Sequence, residues 1–194
     1  MKLKPLFDYI KNRITLTPGE RAFLESKVSY RKYLKGQYII QQGDVCKHVC
    51  FVISGCTKTF YLDKEGQEHV LMFAIKDWWT SDMGSYITQT PADFNVQCLE
   101  DTEVAVFSYD TSEMLYAEIP SLERFFRQIV ERAFAASQKR IIRNLSLSAK
   151  ERYLFFKNEY PKIEKRIPQY LVASYLGMTK EFLSKIKSQL VFEK

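Results

Sequence analysis

Ile167-Pro168-Gln169-Tyr170-Leu171-Val172-Ala173-Ser174-Tyr175-Leu176-Gly177-Met178-Thr179-Lys180-Glu181-Phe182-Leu183-Ser184-Lys185-Ile186-Lys187 has the pattern of two short helices meeting at a sharp turn. Pro168 suits the first turn of a helix. Gly177 ends that helix, because a tight turn there needs the left-handed conformation that glycine tolerates. Thr179 is the N-cap of the second helix. Val172, Leu176, Leu183 and Ile186 supply the apolar contact between the helices, and Ala173 is small where they cross. Thr179, Lys180, Glu181, Ser184, Lys185 and Lys187 remain as a polar set on the second helix. The pattern predicts a helix-turn-helix that presents this set to the major groove of double-stranded DNA.

The charge distribution agrees. Residues 139–194 carry 13 Lys+Arg and 5 Asp+Glu, a net of +8, whereas residues 1–138 carry a net of −2, giving +6 for the chain. The basic excess therefore coincides with the candidate DNA reader, where neutralising phosphates would release condensed counterions.

The 194 residues suffice for one large or two modest cores. No apolar run approaches the ~20 residues of a membrane helix. Lys2, Lys4, Asp8, Lys11 and Arg13 interrupt the first fourteen residues, so no signal-peptide core is read there. A cytoplasmic location, no membrane partner and reduced cysteines are the expectations.

Residues 1–28 read as two helical pieces, the second opened by the capping box Thr17-Pro18-Gly19-Glu20. Short β-rich runs follow to Ser108, among them Tyr38–Ile40, Val49–Ile53, Thr57–Leu62 and Glu103–Phe107. Gly36, Gly43, Gly55 and Gly66 punctuate them, which predicts an antiparallel roll, sandwich or barrel. Asp110, with Glu113 three residues on, is expected to cap a short helix. A long helix over about Pro120–Leu145 carries Leu122, Phe126, Ile129, Ala133 and Ala136 as a coiled-coil-like seam, the expected homodimer interface. Phe134, Ile141 and Leu145 form a second apolar surface. Ser148–Glu151 is a further capping box, after a hinge at 145–148. The fold expected is α+β, with an N-terminal antiparallel β-roll over 1–118, a dimerisation helix and hinge over 119–146, and a helix-turn-helix domain over 147–194.

Taken together, these elements resemble the Crp/Fnr family of bacterial regulators, which are similar to the cyclic-AMP receptor. The resemblance rests on Lys35-Gly36-Gln37-Tyr38-Ile39-Ile40-Gln41-Gln42-Gly43-Asp44, on Phe51-Val52-Ile53-Ser54-Gly55, on Lys64-Glu65-Gly66-Gln67-Glu68, on the helix-turn-helix, and on the order of the elements. It implies a jelly roll of the cyclic-nucleotide-binding type and a homodimer on an inverted-repeat operator, with RNA polymerase as a further partner. It also implies that Lys180, Glu181 and Lys185 stand where the family reads bases with an Arg-Glu-x-x-x-Arg pattern. Lysine lacks arginine's rigid fork, so softer base discrimination or a different operator follows. Thr179, Ser184 and Gln169 are expected at phosphates. With Lys194 as the last residue, most of the family's β-hairpin wing is expected to be missing.

The resemblance also locates an effector pocket. Cyclic-nucleotide binders carry Gly-Glu and, about ten residues later, Arg-Ser; the arginine and nearby amides neutralise the phosphate. Here Ser81-Asp82 and Ala92-Asp93 hold those positions. The cation is gone and a carboxylate stands near the phosphate position. Like charges ~4 Å apart at intermediate dielectric repel by several kcal/mol, so a cyclic nucleotide is not the expected ligand. Trp79, Met83, Tyr86 and Phe94 are expected to line the pocket, with Ser137 of the long helix at a base-contacting position. An unknown small-molecule effector and a pocket without effector remain open alternatives.

Cys46, Cys50, Cys56 and Cys98 lack the upstream cysteine cluster of oxygen-sensing family members, and are expected to be core or incidental thiols, with Cys46 and Cys56 the more oxidisable. His48 and His69 lack the spacing of a cupin-type metal site, and no P-loop, dinucleotide fingerprint or nucleophile elbow is present. No enzyme activity, metal or cofactor is expected. The alternative to a regulator is a ligand- or protein-binding β-roll whose DNA reader has decayed.

Overall fold

The computed structural model describes residues 2–192. Thr17 and Glu20 form the anticipated reciprocal cap, with the Glu20 amide donating to Thr17 Oγ1 at 3.2 Å and the Thr17 amide donating to Glu20 Oε2 at 2.7 Å. This starts α2 (Pro18–Lys27) after α1 (Lys4–Lys11), which buries Leu6, Phe7 and Ile10.

Eight strands follow: β1 (Ser29–Tyr33), β2 (Tyr38–Ile40), β3 (His48–Ser54), β4 (Cys56–Leu62), β5 (Glu68–Ile75), β6 (Trp79–Thr80), β7 (Asn95–Cys98) and β8 (Thr102–Ser108). They make two antiparallel four-stranded sheets in the orders β1-β8-β3-β6 and β2-β7-β4-β5. Gly55 joins β3 to β4 at φ +98°, and a Cβ there would lie 2.6 Å from the Thr102 backbone, so only glycine fits. Between β6 and β7 lies α3 (Met83–Thr88).

Helix α4 (Tyr109–Glu118) is capped by Ser108, not by Asp110 as expected. Ser108 is extended (φ −69°, ψ 160°) and its hydroxyl accepts the Thr111 amide at 3.1 Å, leaving Asp110 inside the first turn. Helix α5 (Pro120–Ser146) has 27 residues, about 40 Å of length. It leads to α6 (Ala149–Glu159), α7 (Pro161–Arg166), α8 (Gln169–Tyr175) and α9 (Lys180–Phe192). The Ser148/Glu151 capping box opens α6 as expected.

The apolar interior falls into three clusters. Ile39, Cys50, Val52, Val96 and Val104 pack between the sheets. Leu6, Phe51, Phe107, Leu115 and Leu122 join the sheet carrying β3 and β8 to α1, α4 and α5. The third joins Phe60, Val70 and Phe73 of the roll to Tyr153, Phe156, Leu171, Leu183 and Ile186, so the C-terminal helices share a core with β4 and β5.

Candidate nucleic-acid interface and effector cradle

The turn between α8 and α9 is built as the sequence suggests. Gly177 sits at φ +66°, its amide donates to Ser174 O at 3.1 Å, and the Met178 amide donates to Ala173 O at 3.0 Å, the paired bonds of a Schellman ending. Thr179 then caps α9, its hydroxyl accepting the Phe182 amide at 3.2 Å. Leu171, Val172, Ala173, Leu176, Leu183 and Ile186 are buried, which fixes the two helices against each other.

Gln169, Thr179, Lys180, Glu181, Ser184 and Lys185 are all exposed. Among the described residues, neither Lys180 nor Lys185 is in an ion pair. Lys187 differs from the expected set. Its ammonium pairs with Glu164 at 3.0 Å, and the Tyr153 hydroxyl donates to the same oxygen, which ties α9 to α7. Burial raises the Glu164 pKa, but the bonds from Lys187 and Tyr153 outweigh it and leave the carboxyl below its usual value. Two exposed aromatic side chains stand beside the polar set and escaped the sequence reading: Tyr170 at 53% and Phe182 at 48% exposure. The signal was available, since Leu183 and Ile186 already complete the inward stripe of α9.

The faces of α5 are redistributed. Leu122 is fully buried in its own subunit, and Phe126 packs on Trp79, Phe107 and Tyr116, with Ile129 beside them. These three expected interface residues therefore serve the intrachain core, because the first turns of α5 lie on the roll. Beyond Ile129 the apolar packing of α5 on the roll ends, and Ala133 and Ala136 are exposed, although Arg140 reaches back to β5. So are Val130, Phe134, Ile141, Ile142 and Leu145, the last at 83%. The free apolar stripe is thus the surface of Phe134, Ile141 and Leu145, extended by Val130.

In the roll, Asp82 is 1% exposed. Its Oδ1 accepts the Ser85 amide at 2.9 Å, capping α3, and its Oδ2 accepts the amides of Asp93 and Phe94 at 2.9 and 3.0 Å. The residues at the Gly-Glu and Arg-Ser positions, Asp82 and Asp93, are thereby joined to each other. Ser81 donates to His48 O at 3.2 Å. Asp93, expected to crowd the phosphate position, is exposed; the buried carboxylate is Asp82. Met83, Tyr86 and Ala92 share the inter-sheet cluster, whereas Trp79 belongs to the cluster under α1 and α5 and does not join them. Phe94 is half-buried, and Ser137 lies on the exposed stretch of α5. All four cysteines are free and buried. Burial pushes the Cys50 thiol up and the Cys56 thiol up to about 12; Cys56, expected in a loop, opens strand β4 at 0% exposure. Among the described residues, no group of three or more His, Cys, Asp or Glu side chains is placed to hold a metal, and no helix is long and apolar enough to cross a membrane.

The C-terminal helices are seated on the roll through the free edge of β5. Ser174 of α8 accepts the Val70 amide at 3.0 Å and donates to Glu68 O at 2.7 Å. Arg140 of α5 donates to Leu71 O, to Val70 O at 3.2 Å and to Tyr175 O at 3.0 Å, with its guanidinium over the Tyr175 ring. Arg166 pairs with Glu100 nearby. An open strand edge is a liability, and this one is covered by a helix and two polar side chains. None of these partners was read from the sequence.

Residues 30–118 match the family described as "Cyclic nucleotide-binding domain". Transcriptional activator protein Anr of Pseudomonas protegens is 27% identical over 126 residues, 65% of this chain and 51% of that protein. The fumarate and nitrate reduction regulatory protein of Yersinia pestis is 23% identical, covering 89% of this chain and 73% of its own. The chain spans about half the length of the Anr proteins it matches. Among solved structures, FixK2 from Bradyrhizobium japonicum superposes with a TM-score of 0.74 at 16% identity, over 86% of this chain and 85% of that one. CLP of Xanthomonas campestris, described as c-di-GMP responsive, gives 0.73 at 18% identity over 91% and 93%.

Proposed function

We propose that this chain is a transcriptional regulator of the Crp/Fnr type, which binds an inverted-repeat operator as a homodimer and needs no cyclic nucleotide to do so. The observation that carries the reading is α9, capped by Thr179 and turned outward at Lys180, Glu181, Ser184 and Lys185 on a basic C-terminal region. Lys187, held by Glu164, supports the fold of the reader more than its contact with DNA. The exposed stripe of Val130, Phe134, Ile141 and Leu145 is the surface for a second copy, with Ala133 and Ala136 beside it. The two recognition helices then meet successive half-sites about one helical turn apart.

The Asp82 cradle supports the absence of a cyclic nucleotide. Amides next to the lost arginine already have an internal acceptor, so an incoming phosphate would have to displace a buried carboxylate with no cation to help it. We read the protein as a cytoplasmic, non-enzymatic regulator, with RNA polymerase as its partner class at promoters.

Selection from random duplex DNA, without added ligand and at two salt concentrations, tests this. Recovery of an inverted repeat is expected. Salt-sensitive binding without a motif would overturn the reading in favour of a roll with a decayed reader.

A further inference from the structure

Phe182 is an anomaly in residues 180–189 of α9, which otherwise expose lysine, glutamate, serine and glutamine; the exposed Val191 lies in the helix's last turn, away from the polar set. It lies in the first turn of α9, its amide spent on the Thr179 cap and its ring 48% exposed. The core does not need it, since Leu183 and Ile186 fill the inward face at 1% and 3% exposure. Among the described residues its ring meets no other aromatic ring and no cation, although the chain makes many such contacts elsewhere. Its neighbours are exposed residues of the candidate base-reading set: Glu181 precedes it, and Lys185 lies one turn on.

An apolar ring in the first turn of a groove-reading helix meets a short list of chemistries. Base edges in the major groove present hydrogen-bond donors and acceptors and one apolar group, the C5 methyl of thymine. The first turn of a recognition helix is the part that reaches base edges. We infer that Phe182 is a specificity-determining residue that packs on a thymine methyl in each half-site, next to the bases met by Lys185. This rests on the DNA-binding reading above and adds to it one base and one atom. It also bears on specificity: where lysines replace the arginine forks, part of the discrimination passes to an apolar contact.

The test begins with the inverted repeat from the selection. Each thymine of one half-site is replaced in turn by deoxyuridine, which removes only the methyl and leaves the hydrogen-bonding edge intact. Wild-type protein should lose roughly fourfold in affinity at one position per half-site, the weight of one buried methyl-sized group. F182A should bind the thymine site more weakly, show no further loss on the deoxyuridine site, and lose its preference at that position in a repeated selection. Phe182 is half-exposed, so the variant should fold, and its thermal unfolding is measured alongside. A motif whose thymines can all be replaced without loss, or a variant that keeps the methyl dependence, would overturn the role of Phe182 and leave the regulator intact. Recovery of no motif would overturn the DNA-binding reading, and this inference with it.

Discussion

Asp82 and Arg140 are charged side chains held almost entirely by backbone groups, and they differ in reach. Asp82 takes amides from Ser85, Asp93 and Phe94, partners 3, 11 and 12 residues away. Arg140 gives hydrogen bonds to the carbonyls of Leu71, Val70 and Tyr175, partners 69, 70 and 35 residues away. The first is closed within the roll and is complete as soon as the segment between β6 and β7 forms. The second joins the long helix, the edge of β5 and the end of α8, so it is complete only when the C-terminal helices are seated. One polar cluster fills amides inside the roll; the other joins the C-terminal helices to it.

Removing Asp82 should have the largest effect. Asp82→Ala leaves three amides without an acceptor and α3 without a cap, which costs about 3 kcal/mol or more. Urea unfolding should show it. Asp82→Asn keeps one acceptor oxygen but turns an amino group toward amide donors, so it should fall between the two. If Asp82→Ala were as stable as wild type, the cradle would not be closed in the way described, and the argument against an anionic ligand would lose its basis.

Arg140→Ala should come next, at about 1.5–3 kcal/mol for a cation hydrogen-bonded to buried carbonyls. Its distinguishing readout is local: limited proteolysis should speed up around residues 145–148, the segment left bearing the connection. Proteolysis spread evenly over the roll instead would mean that Arg140 stabilises the subunit as a whole. Ser174→Ala is the milder form of the same experiment. It deprives the Val70 amide and Glu68 carbonyl of a partner and should cost about 1 kcal/mol.

The two clusters also mark how far the sequence could be read. Capping boxes at Thr17 and Ser148, the glycine at 177 and the turn glycines of the roll are local signals with one structural meaning each, and the elements they bound fell where expected. The cap at Ser108 was missed because Ser108 and Asp110 are both competent, and only the strand's exit direction decides between them. Of the candidate DNA contacts, six proved exposed; Lys187 did not stay free because Glu164, 23 residues away, is invisible to helical spacing. The α5 seam divides for a related reason: Leu122, Phe126 and Ile129 lie against the roll, whereas Ala133 and Ala136 are exposed. Its period is the same on both faces, and only the three-dimensional end of the roll, near Ile129, determines which face is left uncovered. The bonds of Arg140 and Ser174 span 35 to 106 residues, and nothing in the spacing of one helix announces them.

The smallest effect compares the two halves through their matched caps. Glu20 in the roll's leading helix and Glu151 at the start of the reader's domain are both held below the ordinary carboxylate value. For Glu20 the Thr17 amide contributes most; for Glu151 the Ser148 hydroxyl does. A depressed folded-state pKa means that the unfolded chain binds the proton more readily. The stabilisation is therefore full above the unfolded value, 4.5, and is lost as pH falls through the folded one. Glu151→Gln keeps an acceptor for the Ser148 amide but cannot titrate, so its stability should lack that increment of acid dependence, as should that of Glu20→Gln. Urea midpoints of wild type and each variant, taken from neutral pH down through 4.5, should converge as the pH falls. A gap that stays constant with pH would mean the carboxylate's charge contributes nothing to the cap. Unequal convergence for the two variants would show that the reader's domain and the roll respond to acid separately, despite the core that joins them.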